Sequence, residues 1–152
     1  MERCFMKRNN DEYVREWLMY AYDNLVSAKR LFSNENQEDY VPYHTISFMC
    51  QGSAEKYLKA YLIWKGWILE KIHDMEDILT YAIDFNSEFE KLRQECKLLN
   101  KYITEGRYPG DLPFESIGEK DAKEAIDAAN KIAKFVKDRI KFEEKEATDF
   151  TD

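Results

Sequence analysis

Cys50-Gln51-Gly52-Ser53-Ala54-Glu55-Lys56-Tyr57-Leu58-Lys59-Ala60-Tyr61-Leu62 is the middle of a helical pattern that runs from about Pro42 to Lys65. Ile46, Met49, Cys50, Ser53, Ala54, Tyr57, Tyr61 and Trp64 recur at helical spacing and form its inner stripe. Pro42 suits the first turn, where its missing N–H leaves no bond unmade, and Gly66 stops the helix. The small run Gly52-Ser53-Ala54 lets another helix approach closely, although a glycine weakens a helix by about 1 kcal/mol relative to alanine. Glu55 and Lys59, four apart with the acid first, have the favourable order for a surface ion pair.

The same period recurs on both sides. From Asp11 to Phe32, Trp17, Ala21, Leu25, Ala28, Leu31 and Phe32 lie at helical spacing, with Asp11 and Glu12 at the positive end and Lys29 and Arg30 near the negative end. Residues 1–10 lack periodicity and read as a flexible N-terminus, and Ser33 to Tyr40 reads as a polar loop. Asp74 has the position of an N-cap for a short helix carrying Met75, Ile78, Leu79, Ala82 and Ile83. Ser87 with Glu90 reads as a capping box before a stripe of Phe89, Leu92, Cys96, Leu99 and Ile103. Ser116 with Glu119 offers another, ahead of a last long helix marked by Ala122, Ala125, Ile126, Ala129, Ile132, Ala133, Val136 and Ile140. The stretch 143–152 is an acidic tail expected to be mobile. No strand alternation competes with these patterns. Long helices on short connections predict an all-α fold, an antiparallel up-and-down bundle of four main helices plus one short helix over residues 11–142.

Composition narrows the class. Five Gly and three Pro supply few of the tight turns that an all-β fold needs. A formal charge of −7 argues against a general nucleic-acid coat, leaves room for a local basic pocket, and suits a partner with a basic surface. Cys4, Cys50 and Cys96 are odd in number and widely spaced, which reads as reduced thiols in a cytoplasmic protein and not as a disulfide frame or zinc site. Met1 to Asp11 is too polar for a signal peptide, and apolar runs such as Tyr61 to Trp64 are too short to span a membrane.

Chemistry concentrates at Arg107-Tyr108-Pro109, where Gly106 and Pro109 end the fourth helical pattern. A guanidinium stays charged and donates two parallel hydrogen bonds, which suits phosphate. One reading makes Arg107 the phosphate contact, with Tyr108 and Tyr102 as pocket aromatics and Lys59 as a second cation. The other has Arg107 satisfy helix-terminal carbonyls or pair with Asp111. His44 reads as a helix-end histidine, and His73, just before Asp74, as a residue that fixes the entry of the next helix. His73, Asp74, Glu76 and Asp77 include metal-ligating types, but the carboxylates are explained by the helix dipole, so no metal and no cofactor is expected.

These motifs resemble the HEPN domain family. The Gln51 to Ala60 segment is similar to the family's Gln-x-Ala-Ala-Glu-Lys-x-Leu-Lys-Ala helix, His73-Asp74-Met75 to its His-Asp-Leu element, and Tyr102 with Arg107-Tyr108-Pro109 to its Tyr…Arg-Tyr-Pro element. Trp17, Ala21 to Leu25 and Ala28 fit its opening helix. The resemblance implies a helical bundle that forms a homodimer, and a partner in the form of a minimal nucleotidyltransferase, as in toxin–antitoxin pairs. Other members are ribonucleases in which an Arg is followed after four to six residues by His. Here Gly110-Asp111-Leu112-Pro113-Phe114 contains no His, and the windows preceding His44 (Gln37, Glu38, Asp39) and His73 (Gly66, Trp67, Ile68) contain no Arg. The resemblance therefore implies a nucleotide- or RNA-phosphate-binding module. The alternatives are a metal-independent ribonuclease with a non-standard Arg/His site and a structural adaptor that binds a protein.

Overall fold

The computed structural model describes the backbone of residues 2–33, 40–104, 109–110 and 113–142, and the side chains of all of these except residues 2–9 and 104. Helix α2, Tyr43–Trp64, is the central element. Thirteen of its 22 residues are buried, so it is packed on nearly every side and not along one stripe. Around it lie α1 (Glu2–Ser33), the short α3 (Met75–Phe85), α4 (Arg93–Thr104) and α5 (Glu119–Arg139), with 3₁₀ turns at Ser87–Leu92 and Phe114–Ser116. The fold is all-α, as the periodicity requires.

Side-chain contacts give the directions. Ser53 donates to the carbonyl of Ala21, and the Asn10 amide reaches the carbonyl of Ile63, so α1 and α2 are antiparallel. Lys131 meets Glu95 at 3.0 Å and Lys101 meets Asp121 at 3.4 Å, which makes α4 and α5 antiparallel. Phe89 joins Tyr61 and Phe135 at one end of the bundle, while His44 meets Phe114 at the other. Helices α2 and α5 therefore begin at the same end, and α1, α2, α4 and α5 form an up-down-up-down bundle. Gly66, at φ 97°, turns the chain out of α2 in the conformation that glycine adopts without strain. The connector that follows runs back beside α2 before α3 begins.

Several local expectations change. Helix α1 starts at Glu2 and not near Asp11. Glu2 to Asn10 has no Gly or Pro and several good helix formers, but no apolar period to reveal them. Asn86, not Ser87, caps the turn before α4 by accepting from the Glu88 N–H at 3.0 Å, while Glu90 turns to Arg93. The α4 stripe accordingly begins in 3₁₀ geometry, with Phe89, Leu92, Cys96 and Leu99 buried. Ser116 binds the carbonyl of Pro113, and the cap of α5 falls two residues later, where Asp121 accepts from the Gly118 N–H at 2.9 Å. Asp74 caps α3 as expected, accepting from Glu76 and Asp77 N–H. The tail 143–152 and the Arg107–Tyr108 pair lie outside the described residues.

The aromatic cluster at the end of α2 is the tightest junction. Phe89 is fully buried, with ring centroids 4.4 Å from Tyr61 and 4.9 Å from Phe135. It ties three elements together through one ring. Replacing Phe89 by Ala removes that ring and leaves a cavity, and should cost about 3–5 kcal/mol of folding free energy. Urea denaturation of the two proteins checks it, and a loss below about 1 kcal/mol would show that the junction does not depend on this ring.

Candidate functional site

Two clusters of polar side chains sit on α2, at different heights. The first surrounds Glu55. Its Oε2 accepts from Lys59 Nζ at 2.8 Å and lies 2.8 Å from His73 Nδ1, and its Oε1 accepts from Gln51 Nε2 at 2.9 Å. Lys59, expected in a surface pair, is only 3% exposed, and Glu55 is 14% exposed. Burial alone pushes the Glu55 carboxyl up, but the bonds from Lys59, Gln51 and His73 outweigh it and hold the group below the usual carboxylate range. His73 is largely exposed and pins the returning connector to α2. Beside it, Asn100 of α4 accepts from the Met75 N–H at 2.8 Å and donates to Asp74 at 3.3 Å.

The second cluster lies near the start of α2, where α4 stops and α5 is approached. Tyr102 is 1% exposed, and its phenol oxygen is buried with no hydrogen-bond partner among the described residues. Burial raises its pKa, opposed by nearby Lys101 and Ser47. Ser47 donates its own hydroxyl proton to the Tyr43 carbonyl at 2.9 Å. Lys101 Nζ stands 5.2 Å from the Tyr102 ring centre. On the other flank, His44 stacks on Phe114 at 5.9 Å with 21° between planes, and its ring is 5.3 Å from Phe48.

Of the four residues singled out from sequence, Tyr102 and Lys59 are described, while Arg107 and Tyr108 lie outside the described residues. Tyr102 and Lys59 are not brought together. Lys59 is three turns beyond Ser47, roughly 18 Å along the helix, and its charge is taken up by Glu55. Sequence reasoning missed Lys101 and Ser47 beside Tyr102, and the pairing of His44 with Phe114. Lys101 adjoins Tyr102 in sequence and was open to notice, whereas the partners of His44 and Tyr102 come from other helices.

Buried Cys50 and Cys96 have thiols pushed up to about 12, chiefly by burial, so they are protonated and poor nucleophiles. No group of three or more His, Cys, Asp or Glu among the described residues is arranged to hold a metal ion. No helix among them is long and apolar enough to cross a membrane.

The all-α up-and-down bundle is the architecture of a HEPN-type module. The HEPN domain profile matches residues 14–139. The chain belongs to the HEPN family. Among solved structures it is similar to ST0689, an archaeal HEPN homologue, with a TM-score of 0.65 and 28% identity over 84% of this chain and 98% of that one. It is likewise similar to TT1696 from Thermus thermophilus, with a TM-score of 0.69 and 28% identity over the same shares of the two chains. No curated protein matches.

The Glu55 cluster generates a stability prediction. Glu55→Gln leaves the buried Lys59 ammonium without a counter-charge, and breaking a buried pair in this way costs about 3–5 kcal/mol near neutral pH. Because the folded carboxyl is held below its ordinary pKa, its contribution is present above the unfolded value and is lost as pH falls through the folded one. The gap between wild type and variant should therefore narrow in acid. A gap that stays constant from neutral to acid pH in denaturation midpoints would rule out this coupling.

Proposed function

We propose that this chain is a HEPN module that binds the phosphate of a nucleotide or of RNA at the Tyr102 corner. In this reading it works in the cytoplasm as a homodimer, beside a minimal nucleotidyltransferase in a toxin–antitoxin-like pair. The observation that carries the binding site is the buried Tyr102 phenol, which has no hydrogen-bond partner among the described residues and lies beside Lys101. Ser47 and Lys101 both oppose the rise that burial causes in its pKa, so polar and charged groups already face this oxygen, and a phosphate seated beside Lys101 would join them. Arg107, five residues on in sequence, is the phosphate contact, and Tyr108 is the aromatic that covers it. Lys101, more exposed than Lys59 and paired with Asp121 at the longer distance of 3.4 Å, takes the role of second cation. Lys59, held by Glu55, secures the connector instead. The nucleotidyltransferase and the cytoplasmic setting come from the family resemblance, and the net charge of −7 suits a basic partner surface.

One observation favours a second reading, a metal-independent ribonuclease. In the family's ribonucleases a His follows Arg after four to six residues, and Phe114 stands after six residues from Arg107. His44 stacks on that same Phe114. An imidazole from α2 is thus supplied in space beside the position where the motif carries one. With Arg107 on the scissile phosphate and His44 moving protons, the 2′-hydroxyl of RNA becomes the nucleophile.

Calorimetric titration with ATP, and separately with a short single-stranded RNA, tests the binding reading. Arg107→Ala should weaken binding by about tenfold or more while circular dichroism stays unchanged. Tyr102→Phe should also weaken it with little loss of thermal stability, because the hydroxyl it removes has no hydrogen-bond partner among the described residues. Equal affinity in wild type and Arg107→Ala sinks the phosphate role. RNA cleavage in EDTA that is lost in both His44→Ala and Arg107→Ala would move the assignment to the ribonuclease.

A further inference from the structure

The rings at the Tyr102 corner pack unlike those elsewhere in the bundle. Phe48, His44 and Phe114 form a run of three, with centroids 5.3 Å and 5.9 Å apart and interplanar angles of 32° and 21°. They are the two flattest ring pairs among the described residues, where the others meet at 46° or more. In the core, Phe89 meets Phe135 edge to face at 73°, so that the rings interlock and close the cluster. A flat run does not close on itself, and it ends in an open ring face.

That end is Phe114. His44 and Phe48 are half-buried on the first turns of α2, whereas Phe114, in the 3₁₀ turn ahead of α5, is 58% exposed. Its one ring contact among the described residues is with His44. Leaving that much apolar ring in water forgoes the gain of burying it, a gain that Phe89 secures in full. The run also stands beside the proposed phosphate site. His44 and Ser47 are three apart and so are neighbours on the surface of α2, and Ser47 is among the groups that oppose the burial-driven rise in the Tyr102 pKa. Lys101 Nζ lies 5.2 Å from the centre of that same Tyr102 ring.

We infer, building on the phosphate reading above, that Phe114 is the platform on which the base of the ligand stacks, so that the corner selects phosphates that carry a nucleobase over phosphates that do not. The base extends the run of Phe48, His44 and Phe114 as a fourth ring. It suits both halves of the corner better than an aromatic side chain of a protein partner does. A base is joined through a sugar to a phosphate, so one ligand lays a flat ring on Phe114 and an anion beside Lys101. An aromatic side chain covers the ring but leaves Lys101 with Asp121 alone. Every base has a π-face, so Phe114 sets the requirement for a base and not which base. It determines specificity and takes no part in any bond made or broken.

Calorimetric titration of the full chain with AMP, with ribose 5-phosphate and with a short single-stranded RNA tests the platform. AMP or the RNA should bind about tenfold or more tighter than ribose 5-phosphate. Phe114→Ala should bring that ligand down to the level of ribose 5-phosphate, with an unchanged helical spectrum. Phe114→Leu should do the same, because it returns apolar bulk without a flat face, whereas Phe114→Trp should keep the preference. Tight binding of AMP alone or of the RNA alone supports the platform and identifies where the base comes from. Equal affinity of wild type for AMP, RNA and ribose 5-phosphate overturns the platform and leaves the phosphate site standing. A preference for the base that survives in Phe114→Ala or Phe114→Leu also overturns it. Failure of all three ligands to bind removes the phosphate reading and the platform together.

Discussion

A helix enclosed on nearly all sides has to satisfy most of its polar side chains from within the protein, and five residues of α2 do so, while the buried Tyr57 hydroxyl has no hydrogen-bond partner among the described residues. Ser47, Gln51, Ser53 and Lys59 are at most 6% exposed, and Glu55 is little more open. Each finds a bond: Ser47 and Ser53 to backbone carbonyls, and Gln51 and Lys59 to Glu55. Since an unpaired buried group costs more than a typical bond returns, these pairings constrain where neighbouring elements can sit. Ser53 fixes the height of α1 through the Ala21 carbonyl. Glu55 fixes the returning connector through His73. The apolar surfaces supply most of the driving force, and the polar bonds on α2 select the register in which they meet.

The connector after Gly66 illustrates the consequence. A chain leaving α2 at the aromatic end would enter α4 directly if the bundle were the simplest up-and-down array. Instead it travels back beside α2, meets Glu55 through His73, and starts α3 under the Asp74 cap. Asn100 then joins this start to α4 by accepting from Met75 and donating to Asp74. The short helix is thereby clamped between α2 and α4, and the last turns of α4 are held at a fixed height. Tyr102 lies on those turns, so the position of the candidate site depends on a hydrogen-bonded relay that begins at Glu55.

Much of this fold is legible in the sequence, because helix faces are local and periodic. The stripes on α2, α4 and α5 fall on buried residues except at Met49, Trp64 and Ile103, which are partly buried, and Asp74 caps α3 where its side chain needs only the N–H groups two and three residues on. Where several candidates compete locally, the reading slips: Asn86 displaces Ser87, and Gly118 with Asp121 displaces Ser116 with Glu119. Glu55 and Lys59 form the expected pair but not on the surface, since an i,i+4 spacing says nothing about what lies over it. His73 reaches Glu55 across 18 positions, a distance that no periodicity reveals. The candidate site was legible as a set of residue types near the end of α4. Its partners on α2 were not, because they depend on which helix ends share one end of the bundle.

The two histidines stand at different heights of α2, His73 beside its middle and His44 at its start, and that division bears on chemistry. His73 has a carboxylate on Nδ1, the arrangement that orients an imidazole for proton transfer, but it stands with the buried Lys59 and the connector. His44 stands at the corner where α4 ends and α5 is approached, with its ring set against Phe48 and Phe114. About eleven residues of helix, roughly 16 Å, lie between His44 and Glu55. The carboxylate that holds His73 thus cannot serve His44 as well. The proposed anion site draws on what this corner gathers: a phenol with no hydrogen-bond partner among the described residues, the Lys101 ammonium beside Asp121, and an imidazole stacked on an aromatic ring. For cleavage, the same corner would have to bring His44 within reach of the attacking hydroxyl. Under the proposed function, catalysis would therefore depend on how close His44 comes to the phosphate, whereas recognition would not.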